Sequence, residues 1–311
     1  MTQGSAAAPD ARLEAWRAAI AAALDSILPE PPDAPAGVVA SMAYSLGAGG
    51  KRLRPLLCLA AADAVGGDTA LATPAACAIE LIHTYSLIHD DLPAMDDDTM
   101  RRGRPTLHTV VGEGQAILAG DGLLTEAFSL LAREPRGDAP ALAARRLRAI
   151  GVIADAAGAR GMVGGQAIDL ACVRPDPRGR RADPLDADGL RDMHARKTGA
   201  LIRASAVAGA VMGGGGDTAI EAVGRAGAEF GLAFQIVDDI LDVEGASATL
   251  GKTAGKDAAA GKPTYPARYG VDGSRRMAEA CLMRAGDALA GAAMDETALL
   301  TIGRRIVNRT A

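Results

Sequence analysis

The chain has 311 residues, 49% of them hydrophobic, 3% aromatic and 23% charged, with a net charge of −5. It is long enough to bury a large core and too apolar for a disordered polymer, and its Ala- and Leu-rich, aromatic-poor composition leans toward helix. The negative balance argues against a nucleic-acid binder, which asks for a basic surface.

In chain order, apolar residues recur at helical spacing from end to end, and no run alternates as a strand does. The pattern predicts a helix over 11–28, a proline break in "PEPPDAPAG" (29–37) and a second helix over 38–46 ending at "GAGG" (47–50). Pro55 suits the first turn of a third helix that reaches about residue 65. Thr73-Pro74 reads as the start of the next, Thr as cap and Pro as first residue, and that helix runs to the first aspartates. Helices are further expected at 115–132, 139–158, 159–172, 187–212, 217–243, 274–292 and 296–307, with an exposed loop at 174–186 ("RPDPRGRRADPLD"). No composition shift marks a domain boundary and no internal repeat is present. The expectation is all-α: one large helical bundle over 1–311, its first ten residues disordered.

Cys58, Cys77, Cys172 and Cys281 lie far apart, form no CxxC pair and are expected to be reduced thiols. "MTQGSAAAPD" lacks the basic start and apolar core of a signal peptide, and "ASAVAGAVMGGGG" (204–216) is too short and glycine-rich to span a bilayer. A cytoplasmic protein without a membrane span is expected.

Two acidic segments carry the chemical signal. "IHDDLPAMDDDTMRRGR" (88–104) places Asp90 and Asp91 at the end of a helix, where the macrodipole disfavours them, with Asp96, Asp97 and Asp98 close behind. "FQIVDDILD" (234–242) places Asp238, Asp239 and Asp242 in an otherwise apolar helix; Asp238 and Asp242 share a face with Gln235. Like charges four apart destabilise a helix, and a half-buried acidic stripe is costly unless it holds a cation. Hard oxygen donors suit Mg²⁺, which prefers one or two carboxylates together with substrate phosphates. Neither segment has the glycine and terminal Glu of an EF-hand. The anion's partners are then sought among cations: "GAGGKRLRP" (47–55) supplies Lys51, Arg52 and Arg54 at a helix start, and Arg101 and Arg102 follow the first acidic run. His83 lies seven residues before Asp90, on nearly the same helix face. Lys197 and Thr198 sit mid-helix, where Thr198 is expected to bond back four residues and bend the helix.

"GGKRLRP", "IHDDLPAMDDDTMRRGRPTLH", "GGQAIDL", "KTG", "FQIVDDILD" and "GKTAGKDAAAGKPTYP" occur in the order seen in the trans-isoprenyl diphosphate synthases, and the chain resembles that family over roughly residues 35–310, nearest to bacterial farnesyl diphosphate synthase. The resemblance implies the isoprenoid-synthase helical bundle, usually a homodimer, acting on small isoprenoid diphosphates. It implies three Mg²⁺ per site, held by Asp90, Asp91 and Asp96 and by Asp238, Asp239 and Asp242. It assigns Lys51, Arg54, His83 and Arg102 to isopentenyl diphosphate, and Arg101, Lys197, Lys252 and Lys262 to the allylic diphosphate. Thr198 and Gln235 line the allylic site near the developing carbocation, and the basic tail "RRIVNRT" (304–310) helps close it. In the family a bulky aromatic five residues before the first aspartate limits elongation, so Tyr85, with Ser86 beside it, implies a farnesyl product. Geranylgeranyl and geranyl products are the near alternatives; a class I terpene cyclase or a catalytically silent partner subunit is the distant one. Two departures stand out: Thr99 replaces a common fourth aspartate, and the 174–186 loop is longer and more basic than is typical.

Overall fold

The computed structural model describes residues 9–174, 178–179, 183, 185–244 and 264–309. Helix α1 (Pro9–Asp25) opens the described chain, so Pro9 and Asp10 are helical where disorder was expected; residues 1–8 lie outside the described residues. Helices α2 (Ala36–Leu46) and α3 (Leu53–Ala64) follow, with Pro55 in the first turn of α3 as anticipated.

Helix α4 (Thr69–Asp90) starts before the Thr73-Pro74 pair. Asp68 is the cap: its carboxylate accepts from the Ala70 N–H at 2.8 Å. An aspartate cap outcompetes a later threonine, and Pro74 is carried inside the helix, where the Thr73 hydroxyl donates to the Thr69 carbonyl at 3.0 Å.

The strands β1 (Met100–Arg101) and β2 (Arg104–Pro105) form a small antiparallel hairpin that the sequence reading did not anticipate. Arg102 and Gly103 at its turn both have positive φ, 53° and 72°, as the favoured two-residue hairpin turn requires.

Helices α5 (Leu107–Val111), α6 (Glu113–Arg133), α7 (Pro140–Ala157) and α8 (Met162–Val173) come next. Of the described residues of the proline-arginine loop, Arg174, Arg178, Gly179, Asp183 and Asp186 are exposed as expected and Leu185 is half-buried. The helix expected at 187–212 is divided into α9 (Ala187–His194), one π turn (Ala195–Gly199) and α10 (Ala200–Gly213). The chain continues through α11 (Asp217–Glu244), α12 (Tyr265–Ala290) and α13 (Thr297–Val307). Helix α12 begins earlier than its periodicity suggests. Thr264 caps it, and non-helical Gly270 (φ 70°) interrupts the pattern that would have revealed its first turns.

The result is a single-domain helical bundle with α3, α4, α10 and α11 at its centre. Nearly every residue of α10 from Leu201 to Met212 is buried, and Leu57, Ile79, Leu201 and Phe230 have almost no exposed surface. Small residues allow the close approach: a Cβ on Gly209 would come within 1.9 Å of the Cys58 carbonyl oxygen of α3. None of the four cysteines forms a disulfide among the described residues. Helix α4 is long and apolar enough to cross a membrane by length and composition, and it is the buried core helix of the bundle.

Candidate active site

Helix α4 ends at Asp90, and the acidic loop folds back onto its last carbonyls. The Asp96 N–H donates to the Asp90 carbonyl at 2.8 Å, Asp97 to Leu92 at 3.1 Å and Asp98 to Asp91 at 3.2 Å. These amides satisfy acceptors that a helix C-terminus leaves open, and they gather Asp90, Asp91 and Asp96 around one helix end. Asp97 takes a left-handed backbone, φ 54°, to make the turn. Arg174 adds a clasp from α8's end, donating to the carbonyls of Pro93 and Met95 at 3.0 and 2.5 Å.

The β1–β2 hairpin then splits its arginines. Arg101 turns back on buried Asp91, with Nε 2.7 and 2.9 Å from its two oxygens and Nη2 2.6 Å from Oδ1. Arg101, expected at the allylic diphosphate, here neutralises the buried Asp91. Arg102, on the turn, reaches Gly49 O across the site. A Cβ on Gly50 would meet the Arg102 guanidinium at 2.5 Å, so this glycine is what admits it. Gly49, Gly50 and Arg52 all have positive φ (75°, 126° and 48°). Arg54, in the first turn of α3, is 8% exposed. Burial holds the half-buried His83 well below its ordinary pKa, helped by the fields of Arg54, Arg102, Arg101 and Arg52, so its imidazole is neutral at neutral pH.

On α11, Asp239 is buried and accepts from Gln235 Nε2 at 2.8 Å and from the Tyr265 N–H, at the start of α12, at 3.0 Å. The wheel reading placed Gln235 with Asp238 and Asp242; its amide instead serves Asp239, one turn on. Asp238 is exposed and pairs with Arg309 Nη2 at 2.8 Å, while that guanidinium lies 4.5 Å over the Phe234 ring. The basic tail thus reaches the second acidic segment. Asp238 also lies in electrostatic reach of Lys51 and Arg54, whose pKa values are both lowered chiefly by burial and supported by its charge.

The π turn joins the two acidic segments. Its Lys197 pairs with buried Asp169 of α8, and the charge of Lys197 also acts on Asp90. Thr198 Oγ1 donates to Gln235 Oε1 at 3.1 Å rather than back along its own helix, so the expected bend is replaced by a π turn with an outward hydroxyl. Glycines make room on both sides: a Cβ on Gly165 would lie 2.1 Å from the Lys197 backbone nitrogen, and one on Gly231 would lie 2.7 Å from the Gly199 Cα. This contact accounts for the second glycine of "GGQAIDL" (164–170). Asp169 within it had no assigned role, and neither did Glu80; each is a lone acid in an apolar helical run, which was the available signal.

Asp90 is half-buried, and its carboxyl is pushed up to about 6, by burial first, with Asp96 and Asp91 raising it and Lys197 and Arg101 opposing. Tyr85 is 7% exposed and meets His89 edge-on at 5.6 Å between ring centres. His89 is itself directed into α6, its Nε2 3.1 Å from the Ile117 carbonyl. Ser86 is half-buried, its hydroxyl donating to the His83 carbonyl at 2.9 Å. Lys252 and Lys262 lie outside the described residues.

The donors for a metal are all carboxylate oxygens, which fits a hard divalent cation. Among the described residues no three of them form a ready ligand cage. Paired carboxylates on two segments instead suit an ion that completes its shell from water and phosphate, the habit of magnesium.

The family described as polyprenyl synthetase matches residues 36–291. The chain belongs to the polyprenyl synthetase family. It is 48% identical over 288 residues, 92% of this chain and 76% of the other, to the heterodimeric geranylgeranyl pyrophosphate synthase large subunit 1 of Arabidopsis thaliana. It is 47% identical to a geranylfarnesyl diphosphate synthase of Leucosceptrum canum, over 88% of this chain and 72% of that one. Among solved structures, an FPP/GFPP synthase from Zymomonas mobilis in its apo form superimposes with a TM-score of 0.82 at 35% identity, covering 96% of this chain and 98% of that one. As a polyprenyl synthetase the chain is a short-chain trans-prenyltransferase, and isoprenoid diphosphates are its substrates.

Proposed function

We propose that the protein joins isopentenyl diphosphate head-to-tail to an allylic diphosphate, with Asp90, Asp91, Asp96, Asp238, Asp239 and Asp242 holding Mg²⁺, three ions per site. The observation that supports this best is the π turn: Lys197 acts on Asp90 while its neighbour Thr198 bonds Gln235, which bonds Asp239. One short segment thereby links both acidic segments, as a site for one diphosphate needs. Magnesium, when bound, supplies the positive charge that stabilises the departing diphosphate. Lys197, Lys252, Lys262 and Arg101 add cationic charge on the allylic side. Lys51, Arg54, Arg102 and neutral His83 hold the diphosphate of isopentenyl diphosphate. The Thr198 hydroxyl and Gln235 carboxamide turn dipoles toward the carbocation, and the apolar walls of the bundle keep water from quenching it. No protein base is required if the released diphosphate accepts the final proton.

For product length, the names of the similar proteins favour geranylgeranyl diphosphate, and we adopt that reading over the farnesyl product expected from sequence. The farnesyl reading keeps one support: the bulky Tyr85 is buried, about 7.5 Å along α4 from Asp90 at 1.5 Å per residue. Incubation of the purified protein with isopentenyl diphosphate and an allylic primer, with and without Mg²⁺, tests both levels. A metal-dependent geranylgeranyl product is expected; a farnesyl product restores the Tyr85 reading, and hydrocarbon or no product removes the synthase assignment. Tyr85→Ala lengthens the product in either case, and an unchanged product returns Tyr85 to plain packing. A homodimer is proposed as the assembly, supported by apolar Val110, Val111, Ile117 and Leu118, exposed on the consecutive helices α5 and α6. The cytoplasmic location stays a proposal, the plant relatives being named chloroplastic.

A further inference from the structure

Helix α4 carries one carboxylate that the aspartate chemistry leaves unused. Glu80 is 2% exposed, three residues before His83. Its Oε1 accepts from Arg52 Nη1 at 2.6 Å, and Arg52 Nη2 donates to the Leu46 carbonyl at 2.8 Å. A single guanidinium therefore ties α4 to the last residue of α2, across the glycine loop that carries Lys51. Arg52 does this with a left-handed backbone, φ 48° and ψ 36°, which a non-glycine residue keeps only when its surroundings hold it there.

The cations of the site crowd around this pair. Arg54 is buried, and its Nε has no hydrogen-bond partner among the described residues. Arg102 is drawn in over Gly49 and Gly50. Burial lowers the pKa of Arg54 to about 10 and lowers that of Arg102, and in both cases the charge of Glu80 is the leading opposing influence. An array of this kind repels itself until an anion arrives, and a buried carboxylate beneath it is what holds it assembled beforehand.

We propose that Glu80 is a positioning residue for the isopentenyl diphosphate cradle: by gripping Arg52 it sets the path of the glycine loop and offsets the gathered cations, so that Lys51, Arg54 and Arg102 stand preorganised for a diphosphate. This rests on the cradle reading given above. Glu80 itself touches no substrate, since it lies behind Arg52.

Glu80→Gln keeps the shape and an acceptor for Arg52 but removes the charge. Steady-state kinetics of the Mg²⁺-loaded enzyme should show KM for isopentenyl diphosphate raised by about tenfold or more, with kcat and the allylic KM changed by less than about twofold. A pair that serves only stability lowers the melting temperature and leaves this KM alone; that outcome, or an equal rise in both KM values, overturns the proposal. Should Glu80→Gln fail to fold, Arg52→Lys keeps a cation beside Glu80 and loses the tie to Leu46, and the same selective rise must appear. Lys51→Ala and Arg54→Ala separate the two layers. If they too leave this KM unchanged, the cradle reading fails and the Glu80 proposal with it. If they raise it while Glu80→Gln does not, the Glu80 proposal alone fails.

Discussion

Asp90 and Asp91 are neighbours in sequence and opposites in surroundings. Asp91 is 4% exposed and gripped by the Arg101 fork, whereas Asp90 is half-buried with its carboxyl raised to about 6. Helix α11 repeats the arrangement: Asp239 is buried on Gln235 and Tyr265, and Asp238 faces solvent under Arg309. Each acidic pair thus combines a carboxylate held by the protein with one that a cation can approach. Bonds to the buried aspartates, charge-assisted at Asp91, shape each segment and leave its partner open to the proposed cation. Asp90→Ala and Asp238→Ala should each lower turnover by two or more orders of magnitude, roughly 3 kcal/mol of transition-state stabilisation, with far-UV circular dichroism unchanged. Near-normal turnover in either variant would remove that residue from the metal site.

At the scale of elements, glycine decides how closely helices meet, and the same substitution has opposite signs at two places. Gly209 of α10 lies against the α3 backbone, where a Cβ would approach the Cys58 carbonyl oxygen to 1.9 Å. Backbone cannot yield as a side chain can, so Gly209→Ala should destabilise by about 1–3 kcal/mol through forced repacking, more than the ~1 kcal/mol gained in helix propensity. Gly151 of α7 has nothing within 4 Å of its missing Cβ. Gly151→Ala should therefore stabilise by about 0.5–1 kcal/mol. Denaturant titration of the two variants reads both signs; a stable Gly209→Ala protein would mean that α3 and α10 are not so closely packed. The π turn obeys the same logic, since Gly165 and Gly231 clear the space in which Lys197 and Thr198 are presented between α8 and α11.

At the scale of the molecule, the first helix and the last described residues meet the elements of the site and one another. Arg309 lies on Asp238, Arg17 of α1 donates to the Lys51 carbonyl at 3.1 Å, and Arg305 of α13 joins Asp10 at 2.8 Å. A stability consequence follows from Asp90. Burial raises its pKa from 3.8 to about 6, so the folded chain binds that proton more tightly than the unfolded chain does. The stabilisation from its neutral form is complete below 3.8 and is lost as pH rises through about 6. A divalent cation competes with the same proton. Magnesium should therefore raise the melting temperature strongly at about pH 7.5 and much less at about pH 5. Equal shifts at the two pH values would show that Asp90 does not take part in holding the ion.

Sequence alone determined the helical class, most of the helices, and the acidic and basic segments, because these are written in residues a few positions apart. A run such as "FQIVDDILD" announces both its periodicity and its anomaly without any long-range contact. Local reading failed where another local signal was stronger, as when Asp68 rather than Thr73 capped α4, and where a break such as Gly270 hid the pattern. Only the tertiary structure decided which charges are spent on one another. Arg101 with Asp91, Lys197 with Asp169, Arg52 with Glu80 and Arg309 with Asp238 are separated by 10, 28, 28 and 71 residues. Pairing at such distances depends on how helices cross, and helix crossing is set by the packing of the whole core, which no short stretch of sequence contains.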